Sequence, residues 1–386
     1  MFGKEKSSGL TAEIRVKRCY GCGAILQDQD PNEPGYVPSE KLESGEDALC
    51  ERCYKLRHYS AYKERPDFTV DYVTILNKAK EEDSLLVYVR NCFALASSRL
   101  SGIGKYLGNK VLVVLNERDL LPENYSDEYL ISYAKKLLEK EGVKPLDILV
   151  TSSNGKGKNI EKRRKDIHFF RKGKSVYFVG AYQVGKSSLI NCLLSDYSNE
   201  TDHRITTSPY PGTTLDVISI PLDENSFLYD TPGIYNRYSM VSFLEPSVTR
   251  YVLARNAIRY EEYRTKPGQS FLFSNFCRRD FVDGQKTKFI FFKSNELMIE
   301  RCKRNKAETT FNGICENENT PIRTKKISSR ESRAKHSFEA EKGKNYRIRV
   351  FGLRYCDFEG NGQKIDVYAP KDVTTLREES ELHEGR

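Results

Sequence analysis

Residues 180–187 read Gly180-Ala181-Tyr182-Gln183-Val184-Gly185-Lys186-Ser187, the pattern G-x-x-x-x-G-K-S. An apolar β-type run, residues 175–179, precedes it, and a helix-like run, residues 188–194, follows. That strand–loop–helix setting is what a phosphate-cradling loop requires. Gly180 and Gly185 let the backbone wrap, so successive N–H groups and a helix N-terminus face an anion. Lys186 supplies charge to the β- and γ-phosphates, and the Ser187 hydroxyl suits Mg²⁺. Gly180, Gln183, Val184, Gly185, Lys186, Ser187 and Ser188 are the candidate nucleotide contacts. A chance G-K-S turn in a Lys-rich chain is the bland alternative, and the flanks argue against it.

The same alternation extends upstream. Residues 84–89 and 110–115 are continuous apolar runs, as expected of strands buried on both faces. Helices are predicted over 71–80, 127–141 and 160–170, the second stopped by Gly142. A short strand, residues 147–150, separates the last two. Such alternation implies a mostly parallel sheet, with ligands at the carboxyl ends of its strands. Four groups of chemistry-bearing residues fall at predicted strand ends. Asn116 and Asp119 give N-x-x-D after the second strand. An Asp carboxylate accepts two parallel hydrogen bonds from guanine N1–H and N2–H₂, which adenine does not offer in that arrangement. Asn116 would brace the loop. Thr151, Ser152 and Ser153 end the third strand and are small enough for backbone N–H groups to reach guanine O6. Asp230-Thr231-Pro232-Gly233 fits D-x-P-G, with Asp230 on Mg²⁺ and the Gly233 N–H on the γ-phosphate. Thr214 fits a switch threonine that binds Mg²⁺.

Cys19-x-x-Cys22 and Cys50-x-x-Cys53 form two C-x2-C knuckles separated by 27 residues. Four thiolates close a tetrahedral, structural Zn²⁺ site. Disulfides or free thiols are the alternatives. Basic and aromatic residues trail the second knuckle (Arg52, Lys55, Arg57, His58, Tyr59, Tyr62), which suits RNA or a solvated helix face. The chain carries a net charge of +9 and ten cysteines. Residues 301–350 hold 14 Lys/Arg against 6 Glu and no Asp, a local excess of +8. That favours a polyanionic partner, with a solvated basic loop as the alternative.

Beyond residue 244 short β-like runs are predicted at 270–276, 287–293, 297–302, 346–351 and 365–368. Residues 196–213 read as a polar loop, 304–343 as a mobile excursion, and the last fifteen residues as a charged tail. No 18-residue apolar run exists, so no membrane span is expected. The polar opening lacks a signal-peptide core, so a cytoplasmic protein is expected. The expected division is a zinc-binding module at 1–65, an α/β P-loop domain at 66–240 and a β-rich basic α+β domain at 241–386.

Motif order adds to this. An ordinary GTPase reads P-loop, switch Thr, D-x-P-G, N-x-x-D, small-residue loop. Here N-x-x-D and the small-residue loop come first. The order resembles the circularly permuted GTPases, and C-x-G-C-G with C-x-R-C in front is similar to the YqeH-like group. Residues 205–208, 211–216, 222–224, 228–234 and 367–371 match that group's pattern too. The resemblance implies a GTPase that assists assembly of the small ribosomal subunit, with GTP/GDP, Mg²⁺ and Zn²⁺ as cofactors and rRNA as partner. A monomer is expected, with neither DNA nor membrane as a partner. Three positions depart from familiar patterns. Glu117 stands where N-K-x-D has Lys. Gln183 stands where many relatives have an Asn that helps hold an activating K⁺. Ile234 replaces the water-orienting Gln of Ras-like enzymes, which implies slow intrinsic hydrolysis helped by a partner. The competing readings are an RNA-binding module with a vestigial nucleotide site and a P-loop kinase of a small metabolite.

Overall fold

The computed structural model describes residues 25–31, 35–43, 50–51, 70–100, 102–123, 125–153, 160–194, 206–209, 215–317, 324, 327 and 333–380. The chain divides into two compact units, residues 1–60 and 61–386.

In the first unit, Gln27 and Tyr36 form a bridge. The Gln27 N–H donates to Gly35 O at 3.0 Å, and the Val37 N–H donates to Gln27 O at 2.8 Å. A one-turn helix, α1, Ser39–Glu43, follows. The Glu51 N–H donates to Tyr36 O, and Leu26, Val37 and Cys50 are buried.

The second unit opens on α2, Val70–Glu81, whose buried residues Tyr72, Ile75, Leu76 and Ala79 recur at helical spacing on one face. Strands β1, Leu85–Asn91, and β2, Val111–Asn116, are buried along their whole length. Helix α3, Asp127–Glu141, is capped by Ser126, whose hydroxyl accepts from the Tyr129 N–H. It ends on Gly142 at φ 71°, a left-handed stop. Next come β3, Asp147–Val150, α4, Ile160–Arg171, β4, Val176–Gly180, and α5, Lys186–Leu194. The sheet is completed by β5, Thr206–Pro209, β6, Asp216–Asp223, and β7, Ser226–Asp230. Its order is β3-β2-β1-β4-β7-β6-β5. The first five are mutually parallel, and β6 and β5 add antiparallel partners. The strands that precede the P-loop in the chain thus complete the sheet on one side of β4.

After a short helix, α6, Pro246–Val252, the chain builds two antiparallel five-stranded sheets. Their strands are β8, Glu261–Thr265, β9, Gln269–Phe273, β10, Cys277–Asp283, β11, Thr287–Phe292, and β12, Glu300–Lys303. Helix α7, Arg304–Glu316, intervenes. Then follow β13, Arg333–Glu339, β14, Asn345–Val350, β15, Arg354–Glu359, β16, Lys364–Pro370, and β17, Thr375–Glu379. The orders are β12-β9-β10-β16-β13 and β17-β14-β15-β11-β8. Phenylalanine rings join the sheets: Phe271 lies 4.9 Å from Phe291, and Phe281 lies 5.4 Å from Phe289.

Three expectations are corrected here. The described residues 304–317 and 333–343 are not an excursion: α7 buries Ala307, Phe311 and Cys315 at four-residue intervals, and β13 pairs with β16. Few apolar residues suffice when they share one helix face. The charged C-terminal stretch contains β17, paired with β14. The polar loop before Thr214 contains β5 at the sheet edge. Strands β8, β10 and β15 were not legible, because charged residues interrupt their apolar pattern.

Candidate nucleotide site

The carboxyl ends of β1, β2, β3, β4 and β7 lie along one edge of the parallel sheet, and the candidate residues gather there. The P-loop leaves β4 with Gln183 at φ 63° and Gly185 at φ 75°. A Cβ on Gly180 would fall 2.7 Å from Val89 O, and one on Gly185 would fall 2.5 Å from Asn116 Nδ2. Both glycines are therefore dictated by close neighbours, and Gly185 also by its left-handed backbone.

Asn116 is fully buried. Its Nδ2 donates to Val184 O at 3.2 Å, Gly185 O at 3.1 Å and Ser153 Oγ at 3.2 Å. One amide thus joins N-x-x-D, the P-loop and the small-residue loop. Its Oδ1 is buried and has no hydrogen-bond partner among the described residues. The same loops are stitched twice more: the Asp119 N–H donates to Ser152 Oγ at 3.1 Å, and the Arg118 N–H donates to Thr151 O at 3.0 Å. Cys192, on α5, donates its thiol to Ser153 O. Glu117 has φ 61°, and its carboxylate accepts from Asn91 Nδ2 at the end of β1. In this chain the position turns toward a neighbouring strand end.

Lys186 and Asp230 are buried, each 7 % exposed, and form an ion pair. Lys186 Nζ also donates to Thr231 O, and Ser187 Oγ donates to Asp230 Oδ2 at 2.8 Å. Ser188 is exposed on α5. Gly233 presses on the P-loop, since a Cβ there would meet Tyr182 Cα at 2.9 Å. Next to it, the Ile234 N–H donates to Gly180 O at 3.0 Å and the Tyr182 N–H donates to Ile234 O at 2.7 Å. The rings of Tyr182 and Tyr235 stack 4.3 Å apart.

Ser187 and Asp230 form a hard oxygen set that fits Mg²⁺ shared with phosphates. Among the described residues no group of three or more His, Cys, Asp or Glu could hold a metal alone. Thr214, Cys19, Cys22 and Cys53 lie outside the described residues, while Cys50 is described and buried.

Residues 175–262 match the family model described as a 50S ribosome-binding GTPase, and residues 286–380 match a YqeH-like C-terminal model. YqeH of Bacillus subtilis (strain 168) is 34% identical over 356 residues, which is 92% of this chain and 96% of that protein. The chain belongs to the YqeH family. It is a GTPase. GTPase Der of Aquifex aeolicus is 33% identical over 147 residues, covering 34% of this chain and 30% of that protein. Nitric oxide-associated protein 1 of Mus musculus is 29% identical over 256 residues, covering 53% of this chain and 36% of that protein. Among the described residues of this YqeH-family chain, no helix is long and apolar enough to cross a membrane.

Sequence reasoning missed Asn91, Tyr182, Tyr235 and Tyr72. Asn91 had a legible signal: it ends β1 as Asn116 ends β2, and the two are register partners. The tyrosines had none, because their roles depend on contacts between layers.

Proposed function

We propose that this YqeH-family GTPase is a GTP-driven switch assisting assembly of the small ribosomal subunit in the cytoplasm. The observation that carries the reading is the path of the chain beyond Gly233. Ile234 hydrogen-bonds the P-loop on both sides, and six residues later the Met240 N–H donates to Phe351 O of the C-terminal sandwich at 2.7 Å. A γ-phosphate sensor is thus a short tether away from the module that would meet RNA. Exposed Lys303 and Lys306 stand at the head of α7 and supply part of the positive surface.

In this reading Lys186 and the P-loop N–H groups hold the phosphates. Asp119, braced through Ser152, selects guanine, and Asn116, Thr151 and Ser153 shape the base pocket. Thr214 and Gly233 read the γ-phosphate. Ser187, Thr214 and Asp230 would hold Mg²⁺, which when bound neutralises charge developing on the phosphates. Cys19, Cys22, Cys50 and Cys53 would hold one structural Zn²⁺ in the module at 1–65, ahead of the GTPase part at 66–240 and the RNA-binding part at 241–386. The protein acts as a monomer.

The test measures binding to each ribosomal subunit with GDP and with a non-hydrolysable GTP analogue. Small-subunit affinity is expected to differ between the two states by about 5–150-fold. It should fall with salt, as counterion release requires. Lys303→Glu with Lys306→Glu should weaken it in both states. Deleting residues 304–343 is a poor probe, because α7 contributes to the core. Equal affinity in the two states, or preference for the large subunit, overturns the reading. Elemental analysis finding no zinc in the native protein removes the zinc assignment.

A further inference from the structure

Tyr72 lies on α2 and is 3% exposed. Its hydroxyl sits 2.6 Å from Thr231 Oγ1, within D-T-P-G. The direction of that bond is fixed by Thr231, whose hydroxyl donates to Phe178 O on β4 at 2.7 Å. A hydroxyl has one proton to give. Tyr72 is therefore the donor and Thr231 the acceptor. The Tyr72 hydroxyl also meets the backbone of Gly180, the first P-loop glycine, and burial pushes its pKa up, so it stays a neutral donor.

Thr231 is held from several directions. Its N–H reaches Phe178 O at 3.3 Å, and its carbonyl accepts from Lys186 Nζ. Its neighbour Asp230 pairs with both Lys186 and Ser187. The ends of β4 and β7 are the roots from which the P-loop and D-T-P-G grow, and the Tyr72 hydroxyl touches both. It reaches them from a helix outside the sheet, 159 residues away in the chain.

We propose that Tyr72 is a positioning residue for GTP hydrolysis: its hydroxyl pins Thr231, and with it the Asp230 carboxylate and the Lys186 ammonium. It acts through Thr231. It fixes the first half of D-T-P-G so that the second half, Pro232-Gly233-Ile234, moves about a defined root. Without the hydroxyl, Thr231 keeps its bond to Phe178 but loses the donor that holds it from below. Small displacements of this kind cost rate more than binding, because phosphoryl transfer depends on positioning.

The experiment compares the full-length wild type with Tyr72→Phe, Thr231→Val and the double variant. It reads kcat for GTP, the dissociation constant for GTP with Mg²⁺, and Tm. Tyr72→Phe should lower kcat about tenfold, with GTP affinity within twofold of wild type. Thr231→Val, which also removes the bond to Phe178 O, should lower kcat at least as much, and the double variant should match Thr231→Val alone, since the bond that Tyr72→Phe deletes is already absent there. A packing role would lower Tm and leave kcat in place. A kcat within twofold of wild type in Tyr72→Phe overturns the proposal, as does a double variant whose loss equals the product of the single losses. If Tyr72→Phe does not fold, Thr231→Val decides: loss of kcat at unchanged affinity supports the proposal, and an unchanged kcat overturns it.

Discussion

The parallel sheet and the C-terminal sandwich bury charge in opposite ways. In the sheet, the interiors of β1, β2 and β4 are mostly Val, Leu, Tyr and Phe, with Arg90 of β1 paired to Glu141 at 2.9 Å as the exception, and the polar residues at the heart of the site stand at strand ends (Asn116, Asp230) or at the head of α5 (Lys186). In the sandwich, charged residues sit inside the strands. Arg278 makes two bonds to Asp280, at 2.8 and 2.6 Å, and Arg347 makes two to Asp357, both at 2.6 Å. Asp280 and Asp357 are almost fully buried. Under the proposed function the first kind of pair is open to exchange, because a phosphate arriving at the loop would compete with Asp230 for Lys186. The second has no such competitor and serves the fold. Arg347 also stacks on Tyr355, at 4.1 Å, within an aromatic group that reaches the GTPase sheet through Tyr125 and Phe93. The pair of Lys186 and Asp230 thus lies where a ligand can reach it, whereas the pairs of Arg278 with Asp280 and Arg347 with Asp357, like that of Arg90 with Glu141, hold packed elements together.

The contrast is broken most severely at Arg347. Arg347→Met leaves the Asp357 carboxylate buried without its partner, which should cost about 3–5 kcal/mol. Urea denaturation would measure it, and the folded fraction should bind GTP normally. Weakened GTP binding at full stability would mean that the sandwich pairs are functional after all. Next comes Lys186→Ala, for which single-turnover hydrolysis should slow by about 10²–10³-fold. Near-normal turnover would show that the strand-end pair serves the fold.

A smaller effect belongs to Asp119→Asn. GTP affinity should drop by about 1–3 kcal/mol, and xanthine nucleotides should gain, because the Asn amide donates to the xanthine carbonyl. Calorimetry with both nucleotides tests this, and wild-type binding of ATP as tight as GTP would refute the base assignment.

The smallest effect is a matter of pH. The Ser226 hydroxyl and then Arg171 pull the Asp223 carboxyl down to about 2. Its folded pKa lies below its unfolded value, so the hairpin β6–β7 gains stability above roughly pH 4. That gain is lost as pH falls through the range between 4 and 2. Asp223→Asn should flatten acid unfolding in that window alone. An unchanged acid limb would show that this partly exposed pair contributes nothing measurable.

Much of the candidate nucleotide site was legible because its motifs are local. G-x-x-x-x-G-K-S, N-x-x-D and D-x-P-G each carry their groups within a few residues, and continuous apolar runs announce strands buried on both faces. Helix α3 and strand β3 fall on their predicted bounds, since the cap residues Ser126 and Gly142 act on adjacent backbone. The sandwich was much less legible. In β10, Cys-Arg-Arg-Asp-Phe-Val-Asp reads as a surface segment until Asp280 is seen to neutralise Arg278 inside the fold. Helix α7 looked like solvated chain because its few apolar residues, three of them buried, make a face only when something lies opposite.

By itself, then, the sequence determined that this chain builds a mostly parallel sheet with a P-loop at its centre, and that N-x-x-D and the small-residue loop come before it. Those features follow from steric and hydrogen-bonding rules acting over a few residues. Tertiary structure alone decided that Asn116 clasps the P-loop, that Tyr72 meets Thr231, and that Arg349 and Glu378 join at Tyr133 of α3. The physical reason is distance along the chain. A hydrogen bond between groups separated by 68, 159 or 245 positions leaves no periodic trace, because its geometry exists only once the layers between them have packed.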